Sequence, residues 1–158
     1  MTHHRRVPAI VILVAALLLA LGYARRGTAR PGTGADAASY AGLTLDQLEK
    51  RIGAGAVPPA AWEAYGGRLF DSGDFARSAL AYAQAIDAQP YNRAARLRRG
   101  IALANARDHP GLLAFLREQV YAEPKLAAEL FDRPELAGYL ANPEFAALRA
   151  DARAQAMD

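Results

Sequence analysis

Hydrophobic and polar positions divide the chain into an apolar front, a short polar stretch and a long region with helical periodicity. The run from Val7 to Tyr23 contains no charged residue and has arginines on both sides. A helix of this length covers about 26 Å at ~1.5 Å per residue, close to the ~30 Å hydrocarbon core of a bilayer. The pattern predicts a transmembrane anchor over residues 7–24, preceded by a basic tail over residues 1–6.

Two other interpretations fit this segment less well. A cleaved signal peptide should have an apolar region of about 7–15 residues and an A-x-A-like site, which Gly22-Tyr23-Ala24 matches poorly. A buried helix of a soluble core would not be apolar all round. Flanking arginines nearly balance, but a short tail before a single anchor favours a cytoplasmic tail. We therefore expect a single-pass inner (plasma) membrane protein with a periplasmic or extracytoplasmic C-terminal domain.

The polar stretch and the first periodic segment follow the anchor. Residues 25–39 are small and polar without apolar periodicity, which predicts a flexible linker. Thr44 with Gln47 three places later forms a capping box, and the apolar spacing after it predicts a helix. This leading helix and its loop occupy residues 40–58.

Residues 59–124 contain an internal period. Gly66 and Gly100 are 34 residues apart, and so are Pro90 and Pro124. In the first copy the relevant residues are Trp62, Tyr65, Gly66, Leu69, Ser78, Tyr82, Ala85 and Pro90. A 34-residue period with this spacing resembles the tetratricopeptide repeat (TPR), a helix–turn–helix unit with the pattern W-x₂-L-G-x₂-Y, A-x₃-F and P.

The resemblance divides this region into repeats over residues 59–92 and 93–124. The second copy is weaker, because Arg96 and Arg99 stand at large apolar positions and Gln119 replaces a small residue. Its frame is kept by Gly100, Leu103, Leu112, Leu116 and Pro124. Each helix pair has an apolar face that only a neighbouring unit can bury, so flanking helices are expected on both sides.

The C-terminal region, residues 125–158, is predicted to cap the array. Asn142, Pro143 and Glu144 form a helix start, with Asn as the N-cap and Glu near the positive end of the helix dipole. The fold class is therefore expected to be all-α: an N-terminal transmembrane helix, a short TPR-like α-solenoid and a capping C-terminal helix.

Composition changes this picture in one respect. The net charge of +3 comes entirely from residues 1–34, which hold five arginines and no acid, so the remainder carries −2. A slightly acidic body makes nucleic acid an unexpected partner. There is no cysteine, which excludes disulfides, thiolate metal sites and a cysteine nucleophile.

The residues needed for catalysis are scarce. His3 and His4 lie in the basic tail and His109 in a predicted turn, so no nucleophile–base pair is proposed. Phosphate-binding glycine motifs are missing, and Asp71 and Asp74 lack calcium-loop spacing. We expect no enzymatic activity, no cofactor and no metal.

Two groups of residues, an arginine cluster and a set of aromatic residues, have both a partner-binding and a structural interpretation. The arginine cluster, Arg93, Arg96, Arg98 and Arg99, could hold an anion. It is more simply explained as a solvated face paired with acids such as Asp87 or Glu63, with some aliphatic stems packed below. Most aromatic residues match packing positions of the repeat, whereas Phe70 and Tyr91 are freer to line a groove.

The TPR resemblance implies a concave groove lined by the first helix of each pair. By that resemblance the groove-facing positions are Glu63, Gly67, Phe70, Leu97, Ile101, Ala104 and Asn105. The expected partner-binding residues are Glu63, Phe70, Tyr91, Leu97, Arg98, Ile101 and Asn105. The Lys/Asn set of chaperone-binding TPR domains is absent, and the groove is mildly apolar, which suits a peptide or helix. The Phe145–Leu148 face of the tail could fill the groove instead.

These features favour a membrane-anchored module that binds another protein, as a scaffold or assembly factor of the bacterial envelope. Its layout is similar to that of the TPR subunit of cytochrome c maturation. Two alternatives remain open: a purely structural subunit of a membrane complex without a peptide groove, and an enzyme.

Overall fold

The computed structural model describes residues 34–55 and 57–157, with side chains from residue 38 onward, and this part of the chain is all-α. Eight α-helices and one 3-10 helix follow one another: α1 Gly34–Ala41, α2 Leu45–Gly53, α3 Pro59–Asp71, α4 Phe75–Ala88, α5 Arg93–Asn105, α6 His109–Ala122, α7 Pro124–Phe131, the 3-10 helix Pro134–Ala141 and α8 Pro143–Ala156. The basic tail, the anchor predicted over 7–24 and the linker up to residue 33 lie outside the described residues. Among the described ones, no helix combines the length and apolar character that crossing a bilayer requires.

Helix α1 corrects the predicted linker, because residues 34–39 are helical. Its last turn is held by α3, where the Arg68 guanidinium donates hydrogen bonds to Ala41 O (2.8 Å) and Leu43 O (3.2 Å). The Tyr40 side chain packs against the apolar cluster between α2 and α3. Alanine-rich segments form helices readily once packing stabilises them, and these tertiary contacts are not visible in the local pattern.

Helix α2 begins with the predicted capping box. The Thr44 hydroxyl accepts from Gln47 N, and Gln47 Oε1 accepts from Thr44 N at 2.9 Å. Leu48 is fully buried. The Glu49 cluster ties α2 to the next two helices: Glu49 Oε1 accepts from Tyr65 Oη at 3.0 Å and from Arg77 Nη2 at 2.6 Å. The leading helix is therefore integrated with the first helix pair.

Two helix pairs, α3/α4 and α5/α6, form the centre of the array, and consecutive helices pack on one another. Gly66 lies where α3 crosses α4: a Cβ at this position would lie 3.1 Å from the Tyr82 ring, and Gly66 O accepts from Ser78 Oγ at 2.8 Å. Gly73, at the turn between these helices, has φ +83°, a conformation that favours glycine. Asp74 then caps α4.

The second pair is closed by the C-terminal helices. A Cβ at Gly100 would lie 2.7 Å from a Leu130 methyl group and 3.2 Å from the Phe115 ring, so α5 is pressed against both α6 and α7. Asn142 caps α8 by accepting from Glu144 N at 2.9 Å, as predicted. Phe145 is buried in the largest apolar cluster of the described residues, which joins α5, α6, α7, the 3-10 helix and α8.

The Glu49 cluster, formed by Glu49, Tyr65 and Arg77, makes the free energy of unfolding depend on pH in the acidic range. Hydrogen bonds from Arg77 and then from Tyr65 lower the pKa of Glu49 below its ordinary value of 4.5. A carboxyl whose pKa is lower in the folded state stabilises the protein above its unfolded-state pKa. That contribution is lost as pH falls from about 4.5 through the folded-state value.

We expect Glu49→Gln to reduce the difference in unfolding free energy between pH 7 and pH 3.5, measured by urea denaturation. Glu118→Gln is the matched control, because Glu118 forms no ion pair with any described residue. Equal pH dependence in the Glu49 variant and the parent would contradict the role assigned to this cluster.

Candidate protein-binding groove

One stripe of α3 and the corresponding stripe of α5 line a row of adjoining depressions, which we call the groove. The stripe on α3 consists of Ala60, Ala64, Gly67 and Asp71, and the stripe on α5 consists of Ala94, Arg98, Ile101 and Asn105. Each residue of the α5 stripe follows a residue of the α3 stripe by 34 positions. Glu63, Arg68 and Phe70 of α3 and Ala104 of α5 line the same depressions beside the stripes. The spacing within each stripe is that of one helix face. The internal period of the sequence therefore recurs in the lining of one surface.

The centre of the groove is a cavity of about 220 Å³, which we call the central cavity. Its lining residues are Gly67, Phe70, Asp71, Tyr82, Arg98, Ile101 and Glu135. Phe70 and Ile101 are half-buried and rest on the main apolar cluster. Arg98 Nη1 donates to Tyr82 Oη at 3.4 Å, and this hydrogen bond raises the pKa of the Arg98 guanidinium. The cavity thus combines an apolar floor with charged groups.

Depressions on both sides extend the groove. Towards α1, Glu63 and Arg98 line the surface with alanines, and Glu63 accepts from Asn92 Nδ2 at 2.7 Å. At the other end the 3-10 helix forms a wall, where Tyr139 Oη donates to Ala104 O at 2.7 Å and the Tyr139 ring lies 4.7 Å from the His109 ring. The 3-10 helix therefore lines one side of this end of the groove, while Phe145 packs in the core.

The structure brings together most residues predicted for the groove but not all of them. Five line it: Glu63, Phe70, Arg98, Ile101 and Asn105. Leu97 packs on the main apolar cluster and lines none of these depressions. Tyr91 is 94% exposed on the loop between α4 and α5, in a separate shallow depression with Pro90 and Asn92.

The arginine cluster is divided between different surroundings. Arg93 forms ion pairs with Glu123 and Glu129, and Arg96 pairs with Glu123 at 3.1 Å. The Arg99 guanidinium lies 5.0 Å above the Phe115 ring. The acids that pair are therefore Glu123, which precedes α7, and Glu129 in its last turn, not Asp87 or Glu63 as expected, because folding brings α7 beside α5.

Three lining residues of the central cavity were not recognised from the sequence. Asp71 was considered only as a possible calcium ligand and Tyr82 only as a residue of the repeat pattern, whereas the Tyr82 hydroxyl lies 3.7 Å from where a Cβ of Gly67 would be, at the groove. The signal for Asp71 was present, since it precedes Asn105 by 34 residues. Glu135 gave no such signal, because it reaches the cavity from the 3-10 helix outside the repeats.

Comparison with protein-family models, with curated proteins and with solved structures finds no match to this chain. Among the described residues, no group of three or more His, Asp or Glu side chains could hold a metal ion. The groove is lined by an apolar floor, by the carboxylates of Glu63, Asp71 and Glu135, and by the guanidinium groups of Arg68, Arg98 and Arg107.

Proposed function

We propose that this chain is a membrane-anchored TPR module that binds another protein in the groove, as a scaffold or assembly factor of the bacterial envelope. The observation that carries the proposal is the pair of matching stripes on α3 and α5. Repeat proteins bind partners on the concave surface that stacked units create. Here the 34-residue period relates four residues of α3 to four residues of α5 in the lining of the groove.

The shape and chemistry of the groove favour a peptide or a helix as its occupant. The central cavity has room for an apolar side chain between Phe70 and Ile101. An extended or helical segment bound by its apolar side would leave its polar side in water. Polar groups at both ends of the groove would then orient the segment along it.

The charge-free run from Val7 to Tyr23 supports the membrane part of the proposal. An anchor at the N-terminus would hold the groove near the bilayer, in the plasma membrane with the helical array on the extracytoplasmic side. The same order of anchor and repeats supports an assembly role similar to that of the TPR subunit of cytochrome c maturation. Catalysis has no part in this proposal.

Site-specific photo-crosslinking in cells tests the proposal on the full chain. A benzophenone amino acid at Phe70 or Ile101 is expected to form an adduct with a second protein. Gly67→Leu should abolish that adduct by filling the central cavity. The control position is Leu80 on α4, which is 68% exposed and does not line the groove.

Three results would contradict binding in the groove. The adducts could persist in the Gly67→Leu variant, or they could form equally from Leu80. They could also be only intramolecular links to residues 134–150, which would mean that the tail fills the groove. A purely structural subunit of a membrane complex predicts the second of these results, with contacts spread over several faces.

A further inference from the structure

Two carboxylates on the central cavity have no partner among the described residues. Asp71, the last residue of α3, and Glu135, on the 3-10 helix, are both exposed and line the cavity. Neither forms an ion pair or a side-chain hydrogen bond with any side chain that the structure describes. They come from segments far apart in sequence and meet at the same apolar floor.

The floor between these carboxylates is open. A Cβ at Gly67 would meet only Tyr82 Oη at 3.7 Å and Arg98 Nη1 at 3.8 Å, which are ordinary contact distances. The half-buried side chains of Phe70 and Ile101 supply the apolar surface. An aliphatic side chain of a ligand could therefore enter here and displace water from both.

The single guanidinium of the cavity does not make it a site for anions. Arg98 Nη1 is held by Tyr82 Oη at 3.4 Å. An acidic ligand would meet the carboxylates of Asp71 and Glu135 in the same cavity, and like charges in proximity repel. A basic ligand meets two carboxylates and one guanidinium, so the lining of the central cavity carries one excess negative charge.

We propose that the groove selects a protein segment in which an aliphatic side chain is flanked by arginine or lysine. The aliphatic side chain enters the central cavity between Phe70 and Ile101, and the flanking cations pair with Asp71 and Glu135. This inference rests on the proposed function, because it specifies the partner of the same groove. The charge pattern is the reverse of the carboxylate-binding Lys/Asn set used by chaperone-binding TPR domains.

Fluorescence anisotropy on the full chain tests the inference with labelled nonapeptides. The probe is Gly-Ser-Gly-Arg-Leu-Arg-Gly-Ser-Gly, compared with peptides in which glutamate replaces both arginines or alanine replaces the leucine. We expect the Arg-Leu-Arg peptide to bind most tightly of the three, and we expect its affinity to fall as salt is added. No binding at millimolar concentration, or equal binding of the glutamate peptide, would overturn the inference.

A charge-matched pair of variants isolates the two carboxylates. Asp71→Asn combined with Glu135→Gln should lower the affinity for the Arg-Leu-Arg peptide about fivefold, since each exposed ion pair contributes modestly to binding. Asp87→Asn combined with Asp151→Asn makes the same change in net charge at exposed positions off the groove and should bind like the parent. Equal weakening by both pairs would overturn the inference, because it would mean that only the overall charge matters.

The cellular adducts separate this inference from the proposed function. If Gly67→Leu abolishes the adduct but Asp71→Asn/Glu135→Gln leaves peptide binding unchanged, the groove binds a partner and the charge rule is wrong. If the adduct survives Gly67→Leu, the proposed function fails whatever the peptides do. A crosslink from Phe70 to the chain's own segment with Arg25, Arg26 and Arg30 would overturn the assignment to another protein.

Discussion

Replacing Phe145 with alanine is expected to lower the free energy of unfolding by about 3–5 kcal/mol, the range for truncating a buried aromatic side chain. Phe145 is 1% exposed and packs in the main apolar cluster. Its ring lies 5.1 Å from the Tyr139 ring, which in turn is tethered to α5 through Ala104 O. Losing the Phe145 ring therefore leaves a cavity where α8 meets the 3-10 helix.

Chemical denaturation followed by circular dichroism measures this effect. Met157→Ala is the control, because Met157 follows α8 and is 82% exposed. Its substitution should change the unfolding free energy by less than about 0.5 kcal/mol. A Phe145→Ala variant as stable as the Met157→Ala variant would show that α8 does not cap the array. If the Phe145→Ala variant did not fold, its loss of stability would be larger than predicted but in the predicted direction.

Leucine is expected to lower the free energy of unfolding much more at Gly66 than at the adjacent Gly67 of α3. Gly66→Leu should destabilise the protein by about 1–3 kcal/mol through overpacking. A Cβ at Gly66 would already press on the Tyr82 ring at 3.1 Å, and Tyr82 is 1% exposed and has little room to move. A leucine side chain at position 67 would point towards the central cavity, where the atoms nearest to its Cβ lie at ordinary van der Waals distances.

The Gly67→Leu variant is therefore expected to stay within about 1 kcal/mol of the parent, helped by the higher helix propensity of leucine. Urea denaturation midpoints of the two variants, measured side by side, give the comparison directly. Equal destabilisation by both substitutions would mean that α3 is rotated from the position described. If Gly66→Leu did not change the midpoint, this would show that α3 and α4 do not cross closely at Gly66.

Local signals predicted several helix boundaries correctly because caps are short-range interactions. The capping box of Thr44 and Gln47 and the N-cap at Asn142 depend only on residues within three positions. The linker prediction failed over residues 34–39, because α1 depends on Arg68 and Tyr40 contacts across the helix array. Predicting such a helix requires knowing which surface it packs against.

The groove was predictable only in part for a related reason. Phe70, Arg98 and Ile101, predicted from helical spacing and the TPR resemblance, line the groove, and partner binding at these residues stays a prediction. Leu97 was predicted on the same stripe as Ile101, and both are half-buried on the main apolar cluster, but only Ile101 lines the groove. Two residues four positions apart on a helix are offset by about 40°, and only the packing partners decide which of them faces the groove.

The sequence by itself determined the helical class of the described residues, the 34-residue period and the turn residues that separate the helices. These depend on spacing and on backbone preferences that act within a few residues. Tertiary structure alone decided that Glu123 and Glu129 pair with the arginines of α5, that the 3-10 helix lines one end of the groove, and that Asp71 and Glu135 meet at one cavity. Contacts between side chains far apart along the chain depend on how helices cross, and helix crossing is set by the packing of the whole array.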